Sequence, residues 1–273
     1  MIKTSVTKSL AKAACIVSLL GLSVLSAAAA WGDRVSREPA SVQTGRVEWA
    51  WDGGKRLAVG VPGTVHYSEQ GAPRVVITGP DEMLRRIRFG DGAITMDNDY
   101  NFFGDRARNQ ERLDISVTGV ALNEFVISGS GKMLLGKLKR DSLSLLVSGS
   151  GSAELDAVVK GDADLRVSGS GHIMFAGLEA KNLNAHISGS GGIEGRGHAD
   201  MLDLDMSGSG RFADISSARA DVNMSGSGRA VIAPRDEAHV RISGSATVRM
   251  PASPPKLDVR VSGSGHVITA MAD

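Results

Sequence analysis

One cysteine, eight prolines and an aromatic content of 4% leave this 273-residue chain without several common means of holding a fold together. The lone cysteine, Cys15, lies in the first thirty residues; once that segment is removed, neither disulfide nor thiol chemistry remains. So few rings imply a slim interior of small aliphatic side chains. Basic and acidic residues nearly balance, 31 against 30, and no basic cluster is present, which argues against nucleic acid as a partner. Beyond residue 30 no apolar run approaches the ~20 residues of a membrane span, so the mature chain has no transmembrane segment.

Residues 1–30 read as an export signal. Lys3, Lys8 and Lys12 form a basic start, Ala13 to Leu25 an apolar stretch, and Ala27 to Ala30 a small-residue cleavage site before Trp31. Lys12-Ala13-Ala14 before Cys15 does not make a lipoprotein box. Cleavage removes three lysines, leaving 28 basic against 30 acidic residues. The expected product is exported, periplasmic or at the cell surface.

What the chain has in abundance is glycine, 34 residues, and much of it is in one phrase. Ser-Gly-Ser-Gly begins at Ser128, Ser148, Ser168, Ser188, Ser207, Ser225, Ser243 and Ser262, and the spacing shortens slightly along the chain. Only one copy departs, ending in Ala246. Self-similarity at a period of roughly 20 residues marks a solenoid, in which a coil buries its apolar face only when neighbours stack on it. Before each phrase stands Ile127, Val147, Val167, Ile187, Met206, Met224, Ile242 or Val261. Two residues earlier stand Phe125, Leu145, Leu165, Ala185, Leu204, Val222, Val240 and Val259. The residues between are mostly polar, which is the period-2 alternation of a half-buried strand. Apolar residues such as Met133, Ile173, Phe212 and Val248 resume beyond the phrase, so a second strand follows. Helix is excluded by a double glycine every coil, and flexible linker by the patterned strands between phrases.

Alternation carried through the phrase puts both glycines inward and both serines outward, at a corner too tight for a Cβ. The structural turn glycines are then Gly129, Gly131, Gly149, Gly151, Gly169, Gly171, Gly189, Gly191, Gly208, Gly210, Gly226, Gly228, Gly244, Gly263 and Gly265. Stacking at ~4.8 Å per coil would align the serines in two exposed ladders.

Residues 31–112 lack the phrase but remain strand-rich, with strands at Arg56 to Val61, Thr64 to Tyr67, Arg74 to Thr78, Arg86 to Phe89 and Ala93 to Met96, and one helical turn over Asp81 to Arg85. They form a cap or irregular first coils. Residues 113–273 are the regular solenoid. Little sequence follows the last phrase to cover the final coil, so an edge is exposed there or a partner or second copy, a homo-oligomer contact, sits against it.

Candidate chemistry is sparse. Strict Ser/Gly alternation cannot supply the Gly-x-Ser-x-Gly of a hydrolase elbow, and His66, His172, His186, His198, His239 and His266 occupy scattered repeat positions. Acids form a column four residues before the phrase, at Glu124, Asp164, Asp203, Asp221 and Asp258, with Ser144, Asn184 and His239 filling the gaps. Asp203, Asp205, Asp221 and Asn223 would gather on adjacent coils as oxygen ligands for calcium, or as a solvated outer face. Asp97 to Asn101 starts like an EF-hand loop but has Phe102 where glycine is needed and Arg108 where glutamate is needed. Its aromatics, Tyr100, Phe102 and Phe103, pack on the cap or meet a partner. A lyase-like carbohydrate enzyme would need acids and bases clustered on one outer face, whereas Asp164 with Arg166 and Asp258 with Arg260 read as surface pairs.

The repeated phrase with apolar-x-apolar before it and x-apolar-x-apolar after it resembles the bacterial family called putative auto-transporter adhesin, head GIN domain. Upstream, Arg74-Val75-Val76-Ile77-Thr78-Gly79 followed by Asp81-Glu82-Met83-Leu84 is similar to that family's first half. The resemblance implies a pectin-lyase-type right-handed parallel β-helix with the phrase at its tight bend, no catalytic residues and no cofactor. The chain stops after the last repeat without amphipathic strands for a translocator, so self-transport is not expected. The reading is an all-β solenoid of about eight coils, each of about 18–20 residues, with an irregular N-terminal cap. It is a non-catalytic envelope or surface protein that binds a glycan or another envelope protein; the alternatives are a carbohydrate-active enzyme and a purely structural component.

Overall fold

The computed structural model describes residues 37–97 and 112–270, which belong to one compact unit. The export signal and the aromatic loop at Tyr100, Phe102 and Phe103 lie outside the described residues, as does the EF-hand-like stretch beyond Asp97. The first strands are β1 (Ser41–Gln43), β2 (Arg46–Ala50), β3 (Arg56–Val59), β4 (Gly63–Ser68) and β5 (Arg74–Thr78). A single helical turn, α1 (Asp81–Leu84), precedes β6 (Ile87–Gly90) and β7 (Ala93–Met96). Then come β8 (Leu113–Thr118), β9 (Glu124–Gly129), β10 (Lys132–Arg140) and β11 (Leu143–Gly149). Long strands that run round a bend make up the regular part: β12 (Ser152–Gly169), β13 (His172–Gly189), β14 (Gly192–Gly208), β15 (Arg211–Gly226) and β16 (Arg229–Gly244). The chain finishes with β17 (Thr247–Met250), β18 (Lys256–Gly263) and β19 (His266–Thr269).

From β9 onward each strand pairs in parallel with its equivalent one coil later, forming a β-solenoid of about eight turns. The phrase holds the register: Ser148 pairs with Ser168, Ser168 with Ser188, Ser188 with Ser207, and so on to Ser243 with Ser262. Coil length changes elsewhere. The lost residues fall between Phe175 and Leu178 opposite Gly195 and Gly197, and between Glu194 and Gly197 opposite Ala213 and Ile215. The second bend therefore absorbs the shortening of successive coils as β-bulges, and the serine-glycine corner absorbs none of it.

The interior is a set of apolar columns. Leu145, Leu165, Ala185, Leu204, Val222 and Val240 stack on one side of the corner, and Ala153, Ile173, Ile193, Phe212, Ala230 and Val248 on the other, all buried. Burying each larger aliphatic stabilises the fold by about 1.5–3 kcal/mol relative to exposure. Sizes alternate within a column, as where Gly195 faces Phe175 and Ala230 faces Phe212, so successive coils interdigitate.

At the corner the two glycines do different things, which corrects the expectation that both point inward. The first has left-handed backbone (φ +105° at Gly169), so the pleat breaks there and its Cβ direction aims along the stack, 2.7 Å from the Gly149 carbonyl oxygen. The second is buried against the core. A Cβ on Gly171 would lie 2.6 Å from Val147 Cγ1 and 2.6 Å from the Gly151 carbonyl oxygen. The side chain below the second glycine is the apolar residue preceding the previous phrase. It is β-branched in most coils and methionine only at Met206 and Met224. Ala246, the one departure, stands above Met224, where an unbranched thioether can give way.

Upstream, stacking order departs from chain order. β3 and β4 form a coil beneath β9 and β10, with Leu57 opposite Phe125, Val59 opposite Ile127 and Val65 opposite Met133. Gly60-Val61-Pro62-Gly63 consequently occupies the corner below Ser128-Gly129-Ser130-Gly131. On the other side of this coil lie β7 and β8, with Val59 opposite Ile94 and Val65 opposite Ile115. The stack then ends in antiparallel strands: β6 on β7, and β5, β2 and β1 in turn on β8. Aromatic packing closes this end, with Trp51 edge-on to Phe89 at 5.5 Å and Trp49 tilted against it at 5.9 Å.

Candidate functional site

Two outward faces flank the serine corner. On the face before it, the registers align Ser144, Asp164, Asn184, Asp203, Asp221, His239 and Asp258 in one column, and Leu146, Arg166, His186, Asp205, Asn223, Arg241 and Arg260 in the next. Asp203, Asp205, Asp221 and Asn223 do meet on adjacent coils. Asp205 accepts a hydrogen bond from Asn223 Nδ2 at 3.2 Å and lies 3.3 Å from His186, while Asp221 pairs with Arg241 at 3.2 Å. That leaves Asp203, whose carboxyl is held above its ordinary range by burial first and then by the neighbouring charges of Asp205 and Asp221, with His186 acting the other way. Among the described residues no group of three or more His, Cys, Asp or Glu is arranged to hold a metal ion. Arg166 grips Asp164 with two hydrogen bonds, at 2.8 and 2.6 Å, and Arg260 lies 3.5 Å from Asp258. This face compensates its own charge.

The face after the corner does so in its early coils, where Lys132 pairs with Glu154 at 2.6 Å, but not further along the stack. Arg211 and Arg229 are cross-strand neighbours in register on β15 and β16, and Arg249 lies on β17, opposite Val231 and two positions further along than the Arg211–Arg229 column. All three are exposed, and none has an ion-pair partner among the described residues. Like charges directly opposite each other cost stability, so the sequence tolerates a penalty here. Both serines of each phrase are exposed from Ser188 onward, and run beside the arginines as two ladders. Stacking gathers arginines that stand a whole coil apart in sequence, and the signal was Arg following the phrase twice in succession, at Arg211 and Arg229.

A third side carries a shallow groove lined by Lys160, Glu179, Lys181, His198 and Asp200. Two of its lining residues, His198 and Asp200, lie in sequence of contact with Ser216 beside the groove, which the scattered repeat positions had hidden. Ser216 Oγ lies 3.2 Å from His198 Nδ1, and His198 Nε2 lies 3.9 Å from Asp200. Ser216 Oγ also donates to the Gly197 carbonyl at 3.0 Å. Its proton is committed to the backbone, and the aspartate is too distant to orient the ring, so the hydroxyl is not activated as a nucleophile.

The family described as "Putative auto-transporter adhesin, head GIN domain" matches residues 55–254. The chain belongs to that family. The match begins at the β3 coil, so the family's unit includes the out-of-order coils as well as the regular ones. No curated protein matches. Among solved structures, a "putative lipid binding protein" from Parabacteroides distasonis ATCC 8503 superposes with a TM-score of 0.71 at 20% identity, over 83% of this chain and 96% of that one. A "putative adhesin" from Parabacteroides merdae ATCC 43184 gives 0.70 at 21% identity, over 83% and 95%. Another from P. distasonis ATCC 8503 gives 0.64 at 19%, over 82% and 96%. At these identities the likeness is one of fold. The descriptions of these structures are of adhesins and a binding protein rather than enzymes. No helix among the described residues is long and apolar enough to cross a membrane.

Proposed function

We propose that this protein is an exported, non-catalytic envelope or surface protein that holds an acidic glycan along the face after the serine corner. The observation that carries the reading is the in-register pair Arg211 and Arg229, uncompensated and flanked by exposed serine ladders. Coils repeat at about 4.8 Å, close to the length of one sugar unit, so a repetitive polyanion meets guanidinium groups and hydroxyls at recurring intervals. Guanidinium forks bind carboxylate and sulfate in two-point fashion, and hydroxyls supply adaptable donors and acceptors. The family's adhesin description is in keeping with a surface role.

An array of neutral and acidic glycans tests this, run beside a panel of polysaccharide lyase and hydrolase substrates. The expected result is retention of acidic glycans only, lost in Arg211→Ala/Arg229→Ala, with no turnover. Turnover abolished by His198→Ala would instead identify the third-side groove as an active site, and binding of nothing on the array would favour a purely structural component. Fractionating cells for the product cleaved before Trp31 tests export.

A further inference from the structure

The two ends of the stack are finished differently. At the N-terminal end antiparallel strands and two tryptophans cover the core. At the other, β18 pairs with β16 on one side, and its second edge has no partner among the described residues. The core columns come to the surface there. Leu257, Val259 and Val261 are 36%, 39% and 42% exposed, whereas Ala238, Val240 and Ile242, their equivalents one coil earlier, are 0%, 1% and 2%. An unpaired strand edge beside exposed apolar side chains is a template for strand addition. Pro251, Pro254 and Pro255 block pairing on the segment leading into β18, but β18 contains no proline.

We propose that β18 is the contact for a second copy of this chain, joined end to end about a two-fold axis through Val259. A two-fold axis sets identical strands antiparallel and makes the contact self-complementary. With the axis normal to the sheet, directly opposed residues point to the same side, so the axis must pass through a residue. Centring on Asp258 or Arg260 opposes two like charges. Centring on Leu257 sets Val259 against the partner's Pro255, which has no amide hydrogen to give, and centring on Val261 sets Val259 against the partner's Gly263.

Centring on Val259 opposes Leu257 to the partner's Val261, Val259 to the partner's Val259, and Asp258 to the partner's Arg260. The three apolar residues then fall on the core side in both copies and continue one hydrophobic interior through the junction. The two Asp–Arg pairs lie on the outer side at cross-strand distance. Within one chain Asp258 already lies near Arg260 and His239, so its charge is part of the outer face before the second copy arrives.

Sedimentation velocity of the full chain up to about 100 µM tests this, with circular dichroism confirming that each variant folds. The expected species is a dimer. Arg260→Asp alone and Asp258→Arg alone each oppose like charges and weaken association at least about tenfold. An equimolar mixture of those two variants restores a dimer, because each then faces the opposite charge, and the double variant Asp258→Arg/Arg260→Asp restores it alone. A monomeric wild type at every concentration overturns the proposal, as does a dimer indifferent to Arg260→Asp or a mixture of single variants that stays monomeric.

Discussion

Gly169 lies over Gly149 so closely that a Cβ on the upper residue would stand 2.7 Å from the lower carbonyl oxygen. Its φ of +105° independently disfavours any side chain, so Gly169→Ala incurs backbone strain and a clash together. The expected loss is roughly 2–4 kcal/mol by urea unfolding. Gly129→Ala should lose less, because φ is +91° there but no atom lies within 4 Å of the Cβ position. Ser170→Ala, at an exposed position of the same corner, should change stability by less than about 0.5 kcal/mol. Equal losses at Gly129 and Gly169 would mean that the coil beneath is not what restricts the corner.

The second glycine of each phrase makes a sharper comparison. Gly171 stands on Val147, whose branched carbon cannot swing aside, whereas Gly228 stands on the sulfur of Met206. Gly228→Ala is expected to cost under about 1 kcal/mol, and Gly171→Ala about 2 kcal/mol or more, in the same unfolding measurement. Changing Met206 to valine in the Gly228→Ala background should abolish the tolerance.

Asp203 makes stability depend on pH in an unusual direction for a carboxylate. Its folded value is raised above the unfolded value near 3.8, chiefly by burial. The folded state therefore prefers the protonated acid. Its contribution is fully present below about 3.8 and is lost as pH rises through the folded value. Asp203→Asn should raise the melting temperature at pH 7 and give no gain at pH 3. Millimolar calcium should leave the melting temperature of the parent unchanged, since Asp205 and Asp221 already have partners in Asn223, His186 and Arg241.

The repeat was legible because the corner cannot vary: its glycines are fixed by backbone contacts from the coil beneath, so the period shows in the sequence as spelling. The acidic column followed from the same count. The coil of β3 and β4 was not legible, since Gly60-Val61-Pro62-Gly63 fills a corner with neither serine, and nothing local reveals that residues 56–68 are stacked between strands that come later in the chain. The arginine pair was hidden for a related reason. Adjacency across coils depends on register, which only the ladder fixes.

Tyr67 ties that displaced coil to its neighbours. Its hydroxyl donates to the Val120 carbonyl at 2.7 Å and accepts from the Leu122 amide at 3.1 Å and from Arg140 at 3.2 Å, while Arg140 also pairs with Glu69. The ring is edge-on to Phe125 at 5.0 Å. Tyr67→Phe keeps the packing and leaves the Leu122 amide, the Val120 carbonyl and Arg140 short of a partner. The expected cost is about 2 kcal/mol, with faster amide exchange at Leu122 as the local signature.

Bulges at the second bend predict where the chain accepts length. Coils of unequal length stack there without disturbing the serine register, because the extra residue loops out between Phe175 and Leu178. One alanine inserted between Arg196 and Gly197 should therefore fold with a loss of about 1 kcal/mol. The same alanine between Gly189 and Ser190 shifts the following strand by one position, turning Ile193 outward and Glu194 toward the core. That variant should fail to fold as a continuous stack, visible as loss of the cooperative thermal transition. If both insertions behave alike, the corner does not set the register of the solenoid.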